Sequence, residues 1–204
     1  PYQVSVAGVA MAEGVVARLA RRFIRFNTDC LPAVPPGRLL EVGCASGRFL
    51  HKAAAMGWEA EGIEFSPRAA EAARSLGFKV YAGTLETAPE YGPRYDVIVG
   101  WMVLEHLHDP VAALQRLACW IRPGGWLALS VPNAAAWECA VFKDAWYALQ
   151  LPTHLFHYTP RTLEAVLARG GWHLERLFHQ RIVSNLFYSA GYALADRKPH
   201  YQEG

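Results

Sequence analysis

The sequence predicts an α/β fold, a Rossmann-like, mostly parallel, doubly wound sheet flanked by helices, and three observations predict it. Short hydrophobic runs alternate with helix-like segments through the middle of the chain, the rhythm of crossover units. Helix-like segments open on a capping residue followed by proline, and they close on glycine or on a Pro-Gly-Gly run. One strand, ending in Leu39-Leu40-Glu41-Val42, runs straight into the small residues Gly43-Cys44-Ala45-Ser46-Gly47. In open α/β sheets ligands bind at such a strand-to-helix turn.

Residues 1–37 read as an N-terminal helical cap. Their stretch 15–26 is basic and amphipathic, which suits a cover over the cleft better than a seat on an anionic membrane. The core, 38–132, carries strands at 38–43, 59–65, 79–83, 95–101 and 125–132. Helices are expected between them at 47–57, 66–77 and 109–121. Ser66 caps the second of these, with Pro67 at its first position and Gly77 as its stop. Asp109 and Pro110 repeat the pattern, and Pro123, Gly124 and Gly125 follow.

Residues 133–160 are long, aromatic-rich and outside the alternation, so they read as a lid or acceptor-binding insertion. Trp137, Phe142, Trp146 and Tyr147 recur there at near-helical spacing and are expected to pack. Residues 161–204 complete the same domain, with a capped helix over 159–172, a strand over 172–183 and a tail that begins helical. No further strand is apparent. About six strands are therefore expected, with the seventh missing or disordered and the chain cut short.

The 204 residues are 52% hydrophobic, enough for one full core. A formal charge of +2 encodes no pull toward nucleic acid, and oligomeric state is left open. Cys30, Cys44, Cys119 and Cys139 form no C-x-x-C pair, which points to reduced thiols in a cytoplasmic protein without structural zinc. The N-terminal charges follow the apolar part, the reverse of a signal peptide. No run of about 18 apolar residues suggests integral membrane association.

Spacing in the glycine turn narrows the ligand. A dinucleotide turn needs G-x-G-x-x-G, but Ala45 and Arg48 occupy two of those glycine positions, and no phosphate loop is present. A cofactor without a pyrophosphate fits better, which disfavours a nicotinamide oxidoreductase. Glu64, 21 residues after Gly43, ends the second strand where a carboxylate can accept from both ribose hydroxyls.

With these residues in place, 38–172 resembles the class I S-adenosylmethionine-dependent methyltransferases. Residues 39–47 resemble the family's E-x-G-x-G-x-G motif and residues 62–67 its ribose-binding acidic end. Residues 95–110 resemble its fourth strand and following loop, and residues 121–133 the entry to its fifth. Residues 152–172 look like the later segment of the ubiquinone-type O-methyltransferases and related small-molecule methyltransferases. The resemblance implies S-adenosylmethionine as cofactor and S-adenosylhomocysteine as product. It places Glu41, Gly43, Ala45 and Gly47 at the methionine end and Glu64 with Phe65 at the ribose. For the adenine it leaves Leu85 and Glu86, in place of the usual Asp after the third strand, together with Trp101 and Met102. It implies transfer to a small-molecule acceptor, most readily a hydroxyl; a non-catalytic module of the same fold is the alternative.

Transfer from a sulfonium is an in-line displacement, and a hydroxyl acceptor benefits from a nearby base. His106, His154 and His157 lie in segments expected at the cofactor mouth, with Tyr158 in support. The competing reading is that they only hydrogen-bond loop backbone, and that Glu105 caps or orients its loop. His154 and His157 form an H-x-x-H pair without an evident third ligand, so no metal is expected.

Overall fold

In this computed structural model, residues 2–6, 31–180 and 183–195 are described. The strands are β1 (Tyr2–Val6), β2 (Arg38–Val42), β3 (Glu59–Glu64), β4 (Lys79–Ala82), β5 (Tyr95–Trp101), β6 (Ile121–Ser130) and β7 (Trp172–Leu177). The helices are α1 (Arg48–Ala55), α2 (Pro67–Ser75), α3 (Pro110–Trp120), α4 (Trp137–Phe142), α5 (Pro160–Arg169) and α6 (Val183–Leu194). One sheet contains all the strands in the order β4-β3-β2-β5-β6-β1-β7, every neighbouring pair parallel.

Alternation along the central strands explains the double winding. Leu40, Val42, Ile98, Leu127 and Leu129 join one buried cluster with Ala113, Leu114, Leu117 and Trp120 of α3 and Leu163 and Leu167 of α5. Leu39, Val97, Val99 and Ala128 face the other way, against Phe49 and Ala53 of α1 and Trp58. Strands buried on both faces read as continuous hydrophobic runs, as these do. The helix starts also follow their signals. Ser66 Oγ accepts from Ala69 N at 3.4 Å, Asp109 Oδ1 from Ala112 N at 2.9 Å, and Thr159 forms a capping box with Thr162.

All six expected strands form, with β7 ending at Leu177 rather than at 183. The expectation that the seventh position is empty is corrected, because β1 lies between β6 and β7 and pairs with both. This also corrects the helical cap at residues 2–6, where Tyr-Gln-Val-Ser-Val has the period-two pattern of a strand. Its partners are more than a hundred residues away, so local pattern alone did not place it. The rest of the expected cap up to residue 30, with its basic stretch, lies outside the described residues. After β7 the described chain is helical, not extended, and no described helix is long and apolar enough to cross a membrane.

The insertion is not one continuous helix. It contains α4 and two short 3-10 turns, interrupted by left-handed backbone at Lys143 (φ 47°) and Gln150 (φ 39°). Trp146 is buried as expected, whereas Trp137 is 56% exposed. Tyr147 stacks on Tyr188 and Tyr192 of α6, and Ser189 Oγ accepts from Tyr147 N at 2.9 Å. The C-terminal helix thus braces the insertion.

Candidate active site

The carboxyl ends of β2, β3 and β5 meet at the small-residue turn. Gly43 (φ 72°) and Gly47 (φ 83°) both occupy left-handed backbone, which explains glycine at these positions. Gly43 N and Cys44 N donate to Ile63 O at 2.8 and 3.1 Å, tying the turn to the end of β3. Ala45 holds φ 46° and donates its N–H to Glu64 Oε2 at 2.8 Å, while Ser66 N donates to Glu64 Oε1 at 2.8 Å. Glu64 therefore links the turn to the start of α2. A carboxylate has about four acceptor positions, so it retains acceptor capacity toward a ligand.

Glu41 is buried within β2, and Cys44 is buried at its exit. Burial, and after it the charges of Glu41 and Glu64, push the Cys44 thiol up to about 12, so it stays protonated. Phe65 is 75% exposed beside Glu64. Leu85 is buried in the core cluster, and Glu86 is exposed. Trp101 is half-buried and meets Phe49 edge-on at 5.3 Å.

Met102 (φ 56°) is held in left-handed backbone at the end of β5 by its N–H, which donates to Ser130 O at 3.0 Å and Ser130 Oγ at 3.1 Å. The chain then passes so close over the turn that a Cβ on Gly43 would come within 2.7 Å of Val103 Cγ2. Two residues further, a 3-10 turn at Leu104–His106 brings in the polar residues. Glu105 is fully buried, neither carboxylate oxygen has a hydrogen-bond partner among the described residues, and burial pushes the carboxyl up to about 8. Its backbone carbonyl accepts from Leu155 N at 2.9 Å and Phe156 N at 3.2 Å, pinning the insertion to this turn.

That contact carries His154 to the same place. The His106 and His154 rings lie 4.7 Å apart edge to face, His106 exposed and His154 only 2% exposed. His106 Nδ1 faces Thr153 O at 2.9 Å and His154 Nδ1 faces Ala148 O at 2.9 Å. Burial lowers His154 to about 4; the Ala148 contact opposes this, and His106 and His157 reinforce it. His157 is arranged differently, with Nε2 at 2.8 Å from Leu149 O. Tyr158 is buried, its hydroxyl 3.5 Å from Leu104 O. The structure thus brings His106 and His154 together with Glu105, and all three histidines meet loop carbonyls, His106 and His154 through Nδ1 and His157 through Nε2. Glu105 did not stand out in the sequence, where only its place beside His106 marked it.

A profile of the methyltransferase domain family matches residues 13–177. The chain is 30% identical over 136 residues to a ubiquinone biosynthesis O-methyltransferase of Xanthomonas campestris pv. campestris, strain B100, an alignment that spans 62% of this chain and 56% of that relative. A ubiquinone biosynthesis O-methyltransferase of Xanthomonas axonopodis pv. citri is 30% identical over 152 residues, 68% of this chain and 63% of its own. In structure, the chain resembles an S-adenosylmethionine-dependent methyltransferase of Thermotoga maritima, with a TM-score of 0.57 and 24% identity over 68% of this chain and 65% of that one. It also resembles one of Mesorhizobium loti, with a TM-score of 0.55 and 18% identity over 69% and 76% of the two chains.

Proposed function

The chain belongs to the class I S-adenosylmethionine-dependent methyltransferase family, and on that premise we propose that it transfers the cofactor's methyl group to a hydroxyl of a small-molecule acceptor. The observation that carries this reading is the adjacency, at one end of the sheet, of the Glu64-bound glycine turn and the Glu105–His106–His154 group. The first suits the cofactor. The second is placed to handle an acceptor's proton.

Gly43, Ala45 and Gly47 offer the backbone against which the methionine portion lies, and the field of Glu41 and Glu64 favours its sulfonium and ammonium charges. Glu64 accepts from the ribose hydroxyls with the positions its two internal hydrogen bonds leave open. Phe65, the Leu85 backbone, Glu86, Trp101 and Met102 surround the nucleoside end. In the transfer, the acceptor oxygen attacks the methyl carbon in line, the carbon–sulfur bond breaks, and its electron pair leaves sulfur as a neutral thioether. The protein lowers the barrier mainly by alignment and exclusion of water. Insertion 133–160, braced by α6, supplies the cover. Hydroxyl acceptors are favoured by the relatives named as O-methyltransferases and by the paired imidazoles of His106 and His154, which can accept a hydroxyl proton.

Titration calorimetry with S-adenosylmethionine, followed by transfer of labelled methyl to matched hydroxyl and amine acceptors, tests this. Glu64→Gln should weaken cofactor binding by roughly tenfold or more, since hydrogen bonds to a charged group contribute about 1.5–3 kcal/mol. Because Glu64 also holds the turn, thermal melting of the variant must accompany the titration. A folded chain that does not bind the cofactor overturns the reading, and transfer confined to amines overturns its oxygen specificity.

A further inference from the structure

We propose that Glu105, His106 and His154 form a binding site for a divalent transition-metal ion of the zinc, iron(II) and manganese(II) class. One ligand atom from each residue lies within 4.8 Å of the others. Ligands about 2.0–2.2 Å from a shared ion are about 3–4 Å apart. His106 is the exposed member of the three and the one with room to move toward an ion.

Three features give the group the character of a metal site. A backbone carbonyl can only accept, so the Nδ1 atoms facing Thr153 O and Ala148 O carry the ring hydrogens. Each Nε2 is left with its lone pair, and holding the non-ligating nitrogen on a carbonyl is the arrangement that orients metal-bound histidines. Glu105 supplies two buried oxygens with no hydrogen-bond partner among the described residues. A bound cation would satisfy the carboxylate that the packing otherwise strands. Finally, both segments are fixed by main chain: Glu105 O accepts from Leu155 N and Phe156 N, and His154 N donates to Gln150 O at 3.0 Å. The segments that carry Glu105 and His154 are therefore held before any ion arrives.

The ligand set selects the ion. Two imidazoles and one carboxylate suit zinc, iron(II) or manganese(II), whereas magnesium and calcium favour all-oxygen surroundings. The sequence pair His154 and His157 is not the site, because His157 directs Nε2 to Leu149 O and its ring centre is 6.2 Å from that of His154. The two partners of His154 are Glu105 and His106, in the loop after β5 and beyond any H-x-x-H spacing.

Three protein ligands leave coordination positions open, as in sites where the ion also holds a reactant. His106 is the exposed member, so the open side faces the entrance. Resting on the hydroxyl-transfer reading above, the ion would bind the acceptor oxygen and lower its pKa. With the imidazole lone pairs engaged on the ion, these side chains would act through the metal instead of taking the proton themselves: the hydroxyl proton would leave to solvent, the acceptor oxygen would bond to the methyl carbon, and the sulfur would depart with the carbon–sulfur electron pair.

The test is calorimetric titration of the chelator-treated chain with Zn²⁺ and Mn²⁺, together with the visible spectrum after Co²⁺ addition. One equivalent should bind, and the cobalt spectrum should report nitrogen and oxygen ligands in a low-coordinate site. His106→Gln, on the exposed side and therefore least able to disturb the fold, should weaken binding at least tenfold, as should Glu105→Gln and His154→Gln, while His157→Gln leaves it unchanged. Failure of the folded chain to bind any of these ions, or binding that survives His106→Gln and Glu105→Gln, overturns the proposal. S-adenosylmethionine titrated into the same samples separates the two readings. Cofactor binding without metal binding removes the metal site alone, and metal binding without cofactor binding removes the methyl-transfer reading.

Discussion

Ala45 and Met102 hold left-handed backbone at φ 46° and 56°, one in the turn and the other at the end of β5. For residues with a Cβ that conformation costs roughly 1–2 kcal/mol, and two such residues flanking one cleft mark it as a place where stability yields to geometry. Ala45→Gly should stabilise the fold by about 0.5–1 kcal/mol, the relief being partly offset by glycine's greater unfolded-state freedom; urea denaturation measures it. Glu105 and His154 set a pH response in the metal-free chain. The folded Glu105 carboxyl titrates near 8 instead of 4.5, so its contribution is complete below about 4.5 and lost as pH rises toward 8. The folded His154 imidazole titrates near 4 instead of 6.5, so its contribution is complete above about 6.5 and lost as pH falls toward 4. Between pH 6.5 and 8 only the Glu105 effect remains, and stability should decline there by about 2 kcal/mol, at ~1.4 kcal/mol per pH unit. Between pH 4.5 and 6.5 the two slopes oppose and nearly cancel, so Glu105→Gln should level the alkaline limb and uncover a rise in stability from pH 4 to 6.5, as denaturation midpoints at stepped pH would show. A limb unchanged in the variant would contradict the assignment.

At the scale of elements, the loop after β5 joins the two halves of the site. Val103 lies against Gly43, and Glu105 O holds the insertion through Leu155 N and Phe156 N. Gly43→Ala meets both the φ of 72° and the 2.7 Å approach to Val103, so cofactor affinity should fall at least tenfold. Adding Val103→Ala removes the contact but not the backbone strain, and should restore affinity only in part; full restoration by the second change would show that the φ is immaterial. The elements themselves were largely legible in the sequence. Ser66-Pro67, Asp109-Pro110 and Thr159-Pro160 each open a helix because capping and proline act within a few residues. The insertion was legible only as an irregular segment. Its left-handed breaks at Lys143 and Gln150 fall on residues that carry no strong local signal for that backbone.

Across the whole molecule, the two ends of the sheet do different work. At the starting ends of β2, β3 and β5, buried Glu61 accepts from Arg94 at 2.6 and 2.7 Å, Tyr95 Oη at 2.8 Å and Arg38 at 3.3 Å. Glu61→Ala leaves Arg94 and the buried Tyr95 hydroxyl without this partner and should cost about 3 kcal/mol. Cofactor affinity should stay within about twofold of the parent, because the site is at the opposite ends of the strands; calorimetry and denaturation on one sample check both parts. The sequence by itself determined the six expected strands, the helix starts, the glycine turn and Glu64 at its exit, since hydrophobic period, capping and turn conformation are written in neighbouring residues. Only the tertiary structure decided that Tyr2–Val6 fills the sheet between β6 and β7, that Glu105 is buried without a side-chain partner, and that His154 meets it. These depend on segments remote along the chain packing together, and burial and through-space distance of that kind leave no period or motif in the residues themselves.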